Sequence, residues 1–367
     1  MIDVIVLPQP VHRRAYEQAS ESVRRELVAD VALHFLEDPA DLIGAASRAR
    51  PAAALLICPG EAPDLVVLLG AHWPSGRRIA RFDAAARQRD QSPALAAHVQ
   101  GRGVLGFRWA LRSVVYHDRH QFLRSSYGSE ADQYGQLLMP STPAARHPVA
   151  VLIHGGFWRD RWQLDLMDGI AADLAAHGIA AWNVEYRRPD VHGWHATTTD
   201  VRASVAHLRS LASSYPIDVD RVVLLGHSAG GQLAAHACAD LLGDPDSLQP
   251  VGCVSLAGAM DVVETARRRL GEAAAQAALG VSLEDDASIF LDASPLHRLP
   301  IGVPTVIVTA EADNLDLNEM CWRYLDAAAE RGDRVEGIQG QGDHFTLIDP
   351  GSLIWQRTRQ RLEALVE

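Results

Sequence analysis

One short stretch constrains this chain more than any other. The apolar run Arg221 to Leu225 leads straight into Gly226, His227, Ser228, Ala229, Gly230 and Gly231, and an alanine-rich helical stretch follows. Strand, sharp turn and helix in that order make a nucleophile elbow. The serine at the tip sits in strained backbone, and small residues two before and two after it let strand and helix pack closely. Chance placement of Gly-x-Ser-x-Gly among 28 glycines supplies neither the strand before it nor the helix after it. The turn aims the hydroxyl toward solvent, which makes Ser228 a candidate nucleophile.

A serine hydroxyl is a weak nucleophile at its free pKa, so it needs a base, and the base needs an orienting acid. With an elbow of this kind the chain order is serine, acid, histidine. The strand Pro304 to Thr309 ends in Ala310, Glu311, Ala312 and Asp313, just past a strand's carboxyl end, where open α/β sheets carry their sites. Asp313 is the candidate acid. Glu311, Asp316 and Asp343 are alternatives that otherwise read as helix or turn caps, and Asp261 follows the preceding strand. Gly342, Asp343, His344 and Phe345 form a loop before the last helix, and no other histidine lies between the acid and the end of the chain. His344 is the candidate base.

A developing oxyanion needs backbone N–H donors. The fully apolar strand Val149 to Ile153 runs into His154, Gly155, Gly156, Phe157 and Trp158. Gly155 and Gly156 therefore supply one side of an oxyanion hole, and Ala229, after the nucleophile, supplies the other. Phe157, Trp158 and Trp194 are assigned to the substrate pocket, with Trp162 nearby, although tryptophan is often core filler.

Composition narrows the partners. At 367 residues, 48% hydrophobic and 22% charged, the chain is globular and long enough for two domains. A formal net charge of −12 offers no field for phosphate backbones or anionic lipid, which argues against nucleic acid and membrane surfaces as partners. Cys58, Cys238, Cys253 and Cys321 are far apart and form no Cys-x-x-Cys pair, so they read as buried free thiols. The start, MIDVIVLPQP, has no basic stretch before its apolar residues, and no apolar run reaches a membrane span. A cytoplasmic location is the expectation, with a small acyl compound as substrate and neither metal nor organic cofactor.

Apolar runs and amphipathic stretches alternate along residues 1–118: strands Ile2–Leu7, Val31–Leu36, Ala53–Cys58 and Arg78–Phe82, with helices Ala15–Ala29, Pro39–Arg48, Pro63–Leu69 and Phe107–Tyr116. This alternation predicts a small parallel α/β domain. The polar stretch 119–133 reads as a linker. Residues 134–367 then predict a second α/β domain. Its strands are Gln136–Met139, Val149–Ile153, Ala180–Glu185, the elbow strand, Gly252–Leu256 and Thr305–Thr309, with helices Leu164–His177, Thr199–Ser213 and Ser352–Leu365. Continuous apolar strands indicate a mostly parallel sheet covered on both faces.

With these residues in view, HGGFW, GHSAGGQLAA, the acid after VPTVIVTAEAD, the GDHF histidine and YGSEADQYGQLLMP together resemble the α/β-hydrolase superfamily, in its arylformamidase and carboxylesterase branch. The resemblance covers about residues 127–367. It implies an α/β-hydrolase fold and an acyl-enzyme mechanism on a small ester, and the tryptophan in HGGFW is similar to kynurenine formamidases, which implies an aryl formamide. Residues 260–299 resemble the short helical insertion that covers the site in this branch.

Residues 2–116, with ALLICPGEAPDLVVLLG and GRGVLGFRWALRSVV, resemble type II 3-dehydroquinate dehydratase, a flavodoxin-like domain. Cys58 stands where that family has an asparagine and Arg81 where it has a histidine, and only Arg13, Arg14 and Tyr16 offer counterparts for its first loop. The domain is read as a non-catalytic one serving homo-oligomer assembly, as the resemblance implies. A residual dehydroquinase-like activity in a bifunctional protein, or a binding protein with a vestigial hydrolase site, are the rival readings.

Three patterns are set aside. Gly101 to Gly106 spell G-x-G-x-x-G, but the preceding Ala94–Val99 reads as helix rather than strand. The pairs His117 with His120 and His192 with His195 read as solvated loop histidines, and Arg267 to Arg269 as a solvated helix face.

Overall fold

A computed structural model describes residues 1–7, 13–38, 41, 44–45, 48–49, 53–60, 79–85, 95–244 and 246–367. The described residues divide into two compact units between Gln121 and Phe122.

In the first unit, β1 (Ile2–Val6), α1 (Arg13–Leu27), β2 (Val31–Phe35), β3 (Ala54–Cys58), β4 (Ile79–Asp83), β5 (Leu95–Gln100) and α2 (Gly106–Arg119) follow one another. The five strands are parallel in the order β2-β1-β3-β4-β5. That is the flavodoxin-like order. Phe107, Ala110, Leu111 and Val114, at helical spacing, bury one face of α2 against Leu56, Ala80 and Val99. The helices expected at Pro39–Arg48 and Pro63–Leu69 lie wholly or largely outside the described residues.

Residues 94–99 correct an expectation. Their alanines favour a helix, but Leu95–Gln100 forms strand β5, with His98 beside Arg81 and Val99 beside Phe82. Burial against a neighbouring strand overrides local propensity. The G-x-G-x-x-G run therefore does join a strand to a helix. Its glycines answer to that turn, since Gly101 and Gly103 have φ of 67° and 58°, and Gly106 packs too closely on Arg102 and Phe82 for a side chain. Among the described residues β5 ends its sheet and no βαβ unit continues from it, and the nucleotide reading stays set aside.

The second unit contains β6 (Leu123–Ser126), β7 (Tyr134–Leu138), β8 (His147–Ile153), α3 (Asp168–Ala176), β9 (Ala180–Val184), α4 (Trp194–Ala206), β10 (Ile217–His227) and α5 (Ala229–Leu241). It continues with β11 (Gly252–Leu256), α6 (Val262–Arg267), α7 (Leu270–Leu279), α8 (Ala287–Ala293), β12 (Thr305–Ala310), α9 (Leu315–Glu330), β13 (Val335–Gly340) and α10 (Leu353–Val366). Eight strands run in the order β13-β12-β11-β10-β8-β9-β7-β6. β6 and β7 are antiparallel additions at one edge, and the rest are parallel. The central strands are apolar over Val149–Ile153 and Val222–Leu225, where helices cover both faces. This is the α/β-hydrolase fold.

The stretch read as a linker, 119–133, is partly sheet: Leu123 pairs with Leu137 and Ser126 with Tyr134. An edge strand half open to water needs no apolar run, so polar LRSS concealed it. β13, with its two glycines, escaped for the same reason. The histidines set aside as loop residues are not all so: His117 is buried in α2, His192 ends a one-turn helix and His195 lies in α4. Nor is Arg268 merely solvated, since it pairs with Glu264, Asp316 and Glu319 and ties α6 to α9. All four cysteines are free and buried. Among the described residues no helix is long and apolar enough to cross a membrane.

Candidate active site

β10 delivers the elbow. Its last residue is His227, Ser228 takes φ 56° and ψ −122°, and α5 begins at Ala229. A Cβ on Gly226 would overlap the Gly230 carbonyl, and one on Gly230 the Ile153 carbonyl, so both glycines are required by contact rather than by flexibility. Gly231 is equally confined, with Ser255 Oγ 2.5 Å from where its Cβ would stand. The serine N–H donates to Leu256 O at 2.8 Å, which fixes the turn to β11. Ser228 was expected to face solvent, yet it is only 4% exposed.

Asp313 lies three residues beyond β12. Its N–H donates to Ala310 O (3.1 Å), its Oδ1 accepts from Asn314 N (2.6 Å), and its Oδ2 meets His344 Nδ1 at 2.8 Å. Nδ1–H donating to a carboxylate leaves Nε2 as the ring's acceptor, the tautomer a general base requires. The alternative acids are otherwise engaged. Asp316 pairs with Arg268, and Asp261 caps α6 and pairs with Arg323. Asp343 holds the turn at Thr346, whose hydroxyl keeps its carboxyl below the usual range. Glu311 is exposed. Of these carboxylates only Asp313 contacts the imidazole of His344.

His344 reaches the elbow through its neighbour. The His227 ring lies 4.5 Å from that of His344, centroid to centroid, and its Nε2 is 3.0 Å from His344 O. Among the described residues no hydrogen bond joins Ser228 Oγ to His344 at rest. Such bonds often form only when substrate is present.

Opposite the elbow, Gly156, Phe157 and Trp158 all have positive φ (120°, 52° and 56°) after β8. A Cβ on Gly155 would come 2.8 Å from Ser228 Cβ, and one on Gly156 would run into Trp162. The loop thus lies against the serine with no room for side chains at either glycine. What holds it was not read from the sequence. Glu185, just past β9 and fully buried, accepts from Leu164 N and Tyr186 N (3.2 Å each), meets His154 Nε2 at 3.2 Å and pairs with Arg188. Tyr186 Oη donates to His154 O at 2.8 Å, and Arg188 also pairs with Asp132. The available signal was Glu185-Tyr186-Arg187-Arg188 directly after an apolar strand, since buried charges demand partners.

The three residues assigned to the pocket part company. Trp158 is 2% exposed and belongs to the core, its indole N–H donating to Gln232 Oε1 (3.0 Å), whose amide in turn donates to Ala293 O (2.7 Å). It anchors the glycine loop to α5 and α8. Phe157 and Trp194 are half-buried, Phe157 against Gly271 of α7 and Trp194 edge-on to Trp158 at 6.5 Å. No cluster of three or more potential metal ligands occurs among the described residues.

Comparison with known proteins is consistent with this geometry. The family profile BD-FAE matches residues 136–318, just under half of the chain. Esterase LipC of Mycobacterium tuberculosis is 26% identical over 216 residues, 54% of this chain and 52% of that protein. Esterase LipQ of the same organism is 28% identical over 108 residues, 29% of this chain and 25% of its own length. The chain thus spans about half or less of these relatives. Among solved structures, a bacterial heroin esterase superposes with TM-score 0.56 at 22% identity, over 67% of this chain and 83% of that one. Esterase B from Lactobacillus rhamnosis gives 0.58 at 17% identity, over 70% and 91%. At such identities these structures speak for the fold.

Proposed function

We propose that the second unit is a serine esterase that cleaves small carboxylic esters through an acyl-enzyme. The observation that carries this reading is the 2.8 Å contact of His344 with Asp313, beside a serine held at positive φ on an elbow. His344 Nε2 takes the Ser228 proton as Oγ attacks the acyl carbonyl. The tetrahedral oxyanion is held by backbone N–H groups of Gly155, Gly156 and Ala229, and the imidazolium, steadied by Asp313, gives its proton to the leaving alcohol. Water then attacks the acyl-serine by the same route and releases the acid. The family match and the esterase names of LipC and LipQ support ester over amide. The tryptophan of HGGFW, which suggests an aryl formamide, is Trp158, and it serves the core.

The test compares p-nitrophenyl acetate with N-formylkynurenine on wild type and Ser228→Ala. Serine-dependent turnover favouring the ester supports the proposal; preference for the formamide makes the protein an arylformamidase instead. For the first unit we propose a role in assembling copies of the chain, and a monomer by light scattering would sink that role.

A further inference from the structure

The base and the nucleophile stand on strands of unequal rigidity. Ser228 follows β10, which is paired on both sides by β8 and β11. His344 follows β13, the outermost strand of the sheet. Something has to hold an edge loop at the right height over a central one, because an ångström of misplacement is costly in a catalytic pair.

We infer that His227, the residue inside the Gly-x-Ser-x-Gly turn, is a positioning residue that pins the His344 loop to the elbow strand through Nε2–H donation to His344 O. The inference rests on the esterase reading above. His227 is 1% exposed, and its Nε2 spans 117 residues of sequence to reach that carbonyl at 3.0 Å. A carbonyl only accepts, so the proton is on Nε2 and Nδ1 carries a bare lone pair. That Nδ1 is buried with no hydrogen-bond partner, and it lies 3.1 Å from where a Cβ on Gly155 would be. A histidine kept only for packing would be expected to satisfy both nitrogens, or to be replaced by an apolar ring. Here one side goes unsatisfied while the other is spent on the loop that carries the base.

The ring also stays neutral. Burial, with His344 and then His154 facing it, pushes its pKa well below the ordinary imidazole value, and its remaining ring neighbour, Phe345, carries no charge. Asp313 is engaged by His344. His227 therefore does not compete for the proton that His344 must carry.

The experiment uses the full chain with His227→Phe, which keeps a ring but removes the donor, and His227→Gln, which returns an N–H near the same place. Both are measured for kcat and KM on p-nitrophenyl acetate and checked by thermal melting. The same variants are timed for phosphonylation of Ser228 by a fluorophosphonate, read by intact mass, which needs no knowledge of the substrate. The expected result is a kcat and a labelling rate lowered on the order of 10²-fold in His227→Phe, with KM within about threefold, and at least about tenfold recovery in His227→Gln. His227→Phe within about threefold of wild type, or Phe and Gln variants equally impaired at matched melting temperatures, would overturn the inference, because the donor would then be immaterial. If wild type labels at Ser228 but hydrolyses no ester, the esterase reading fails while labelling still decides the pin. If wild type does not label, both fall together.

Discussion

The first unit has a parallel sheet and the second a mostly parallel one, and the carboxyl ends of the two sheets handle polar residues in opposite ways. In the first, Arg81, Asp83 and His98 lie within β4 and β5 and close on one another: Asp83 Oδ2 is 2.6 Å from Arg81 Nε and 2.8 Å from His98 Nε2, with all three residues buried. In the second, Ser228, Asp313 and His344 stand just past the strand ends, on loops. Strain follows the same division. Among the described non-glycine residues of the second unit, Ser228 and Ala257 adopt positive φ directly after β10 and β11, Phe157 and Trp158 do so in the loop after β8, and Arg269, Glu272 and Ala273 at the start of α7, whereas the first unit shows only Val28, after α1. Each such residue costs about 1–3 kcal/mol and persists where surrounding structure over-determines it, which is characteristic of functional sites. Charges locked inside strands stabilise a fold, while groups lifted beyond the strands on strained turns remain available for chemistry.

The largest expected effect belongs to the nucleophile. Ser228→Ala should lower kcat/KM by roughly 10⁴ to 10⁶-fold with the melting temperature little changed. A near-wild-type rate would erase the distinction between the two sheet ends. Asp313→Asn should cost about 10⁴-fold in kcat, since an uncharged amide no longer enforces the tautomer, and measuring Glu311→Gln beside it shows whether position past the strand is what matters.

Glu185 tests the support beneath the glycine loop. Glu185→Gln removes one of the carboxylates that Arg188 pairs with and leaves it Asp132 and Asp160, and kcat should fall on the order of 10²-fold through a misplaced oxyanion hole. If only stability fell, Glu185 would resemble the locked charges of the first unit.

Asp83 supplies the converse. Asp83→Asn should destabilise the first unit by about 3 kcal/mol, as breaking a buried ion pair does, while steady-state hydrolysis by the second unit stays within about twofold. Loss of hydrolysis at full stability would show that the buried triad is more than structural.

The pH dependence has a definite sign. Burial raises the pKa of Asp83, but hydrogen bonds from His98 and Arg81 outweigh it, and the folded value lies below the ordinary carboxylate value. The group therefore contributes stability above its unfolded pKa of about 3.9, and the contribution is lost as pH falls through the folded value. Thermal melts between about pH 5 and pH 2 should show this loss in wild type and a flatter profile in Asp83→Asn. At the smallest end, Arg267→Ala removes an exposed pair with Glu264 and should shift stability by less than about 0.5 kcal/mol in a denaturant melt.

Much of the fold could be read before any coordinates. Fully buried strands such as Val149–Ile153 and Thr305–Thr309 announce themselves because both faces must be apolar. The elbow did so because Gly226 and Gly230 touch backbone where a Cβ cannot fit. Edge strands β6 and β13 did not, since one exposed edge relaxes that demand, and β5 was hidden by alanines that pair only once β4 is beside them.

By itself the sequence determined the residue types of the site and their order along the chain: serine on an elbow, a carboxylate after the next-but-one strand, a histidine before the last helix. Local backbone constraints and chain connectivity suffice for that. Only the tertiary structure decided which carboxylate meets the imidazole, that Trp158 is bonded to Gln232, and that Glu185 and His227 brace the loops around Ser228. Those outcomes depend on side chains 31 to 117 residues apart arriving at one place, and only packing brings them there.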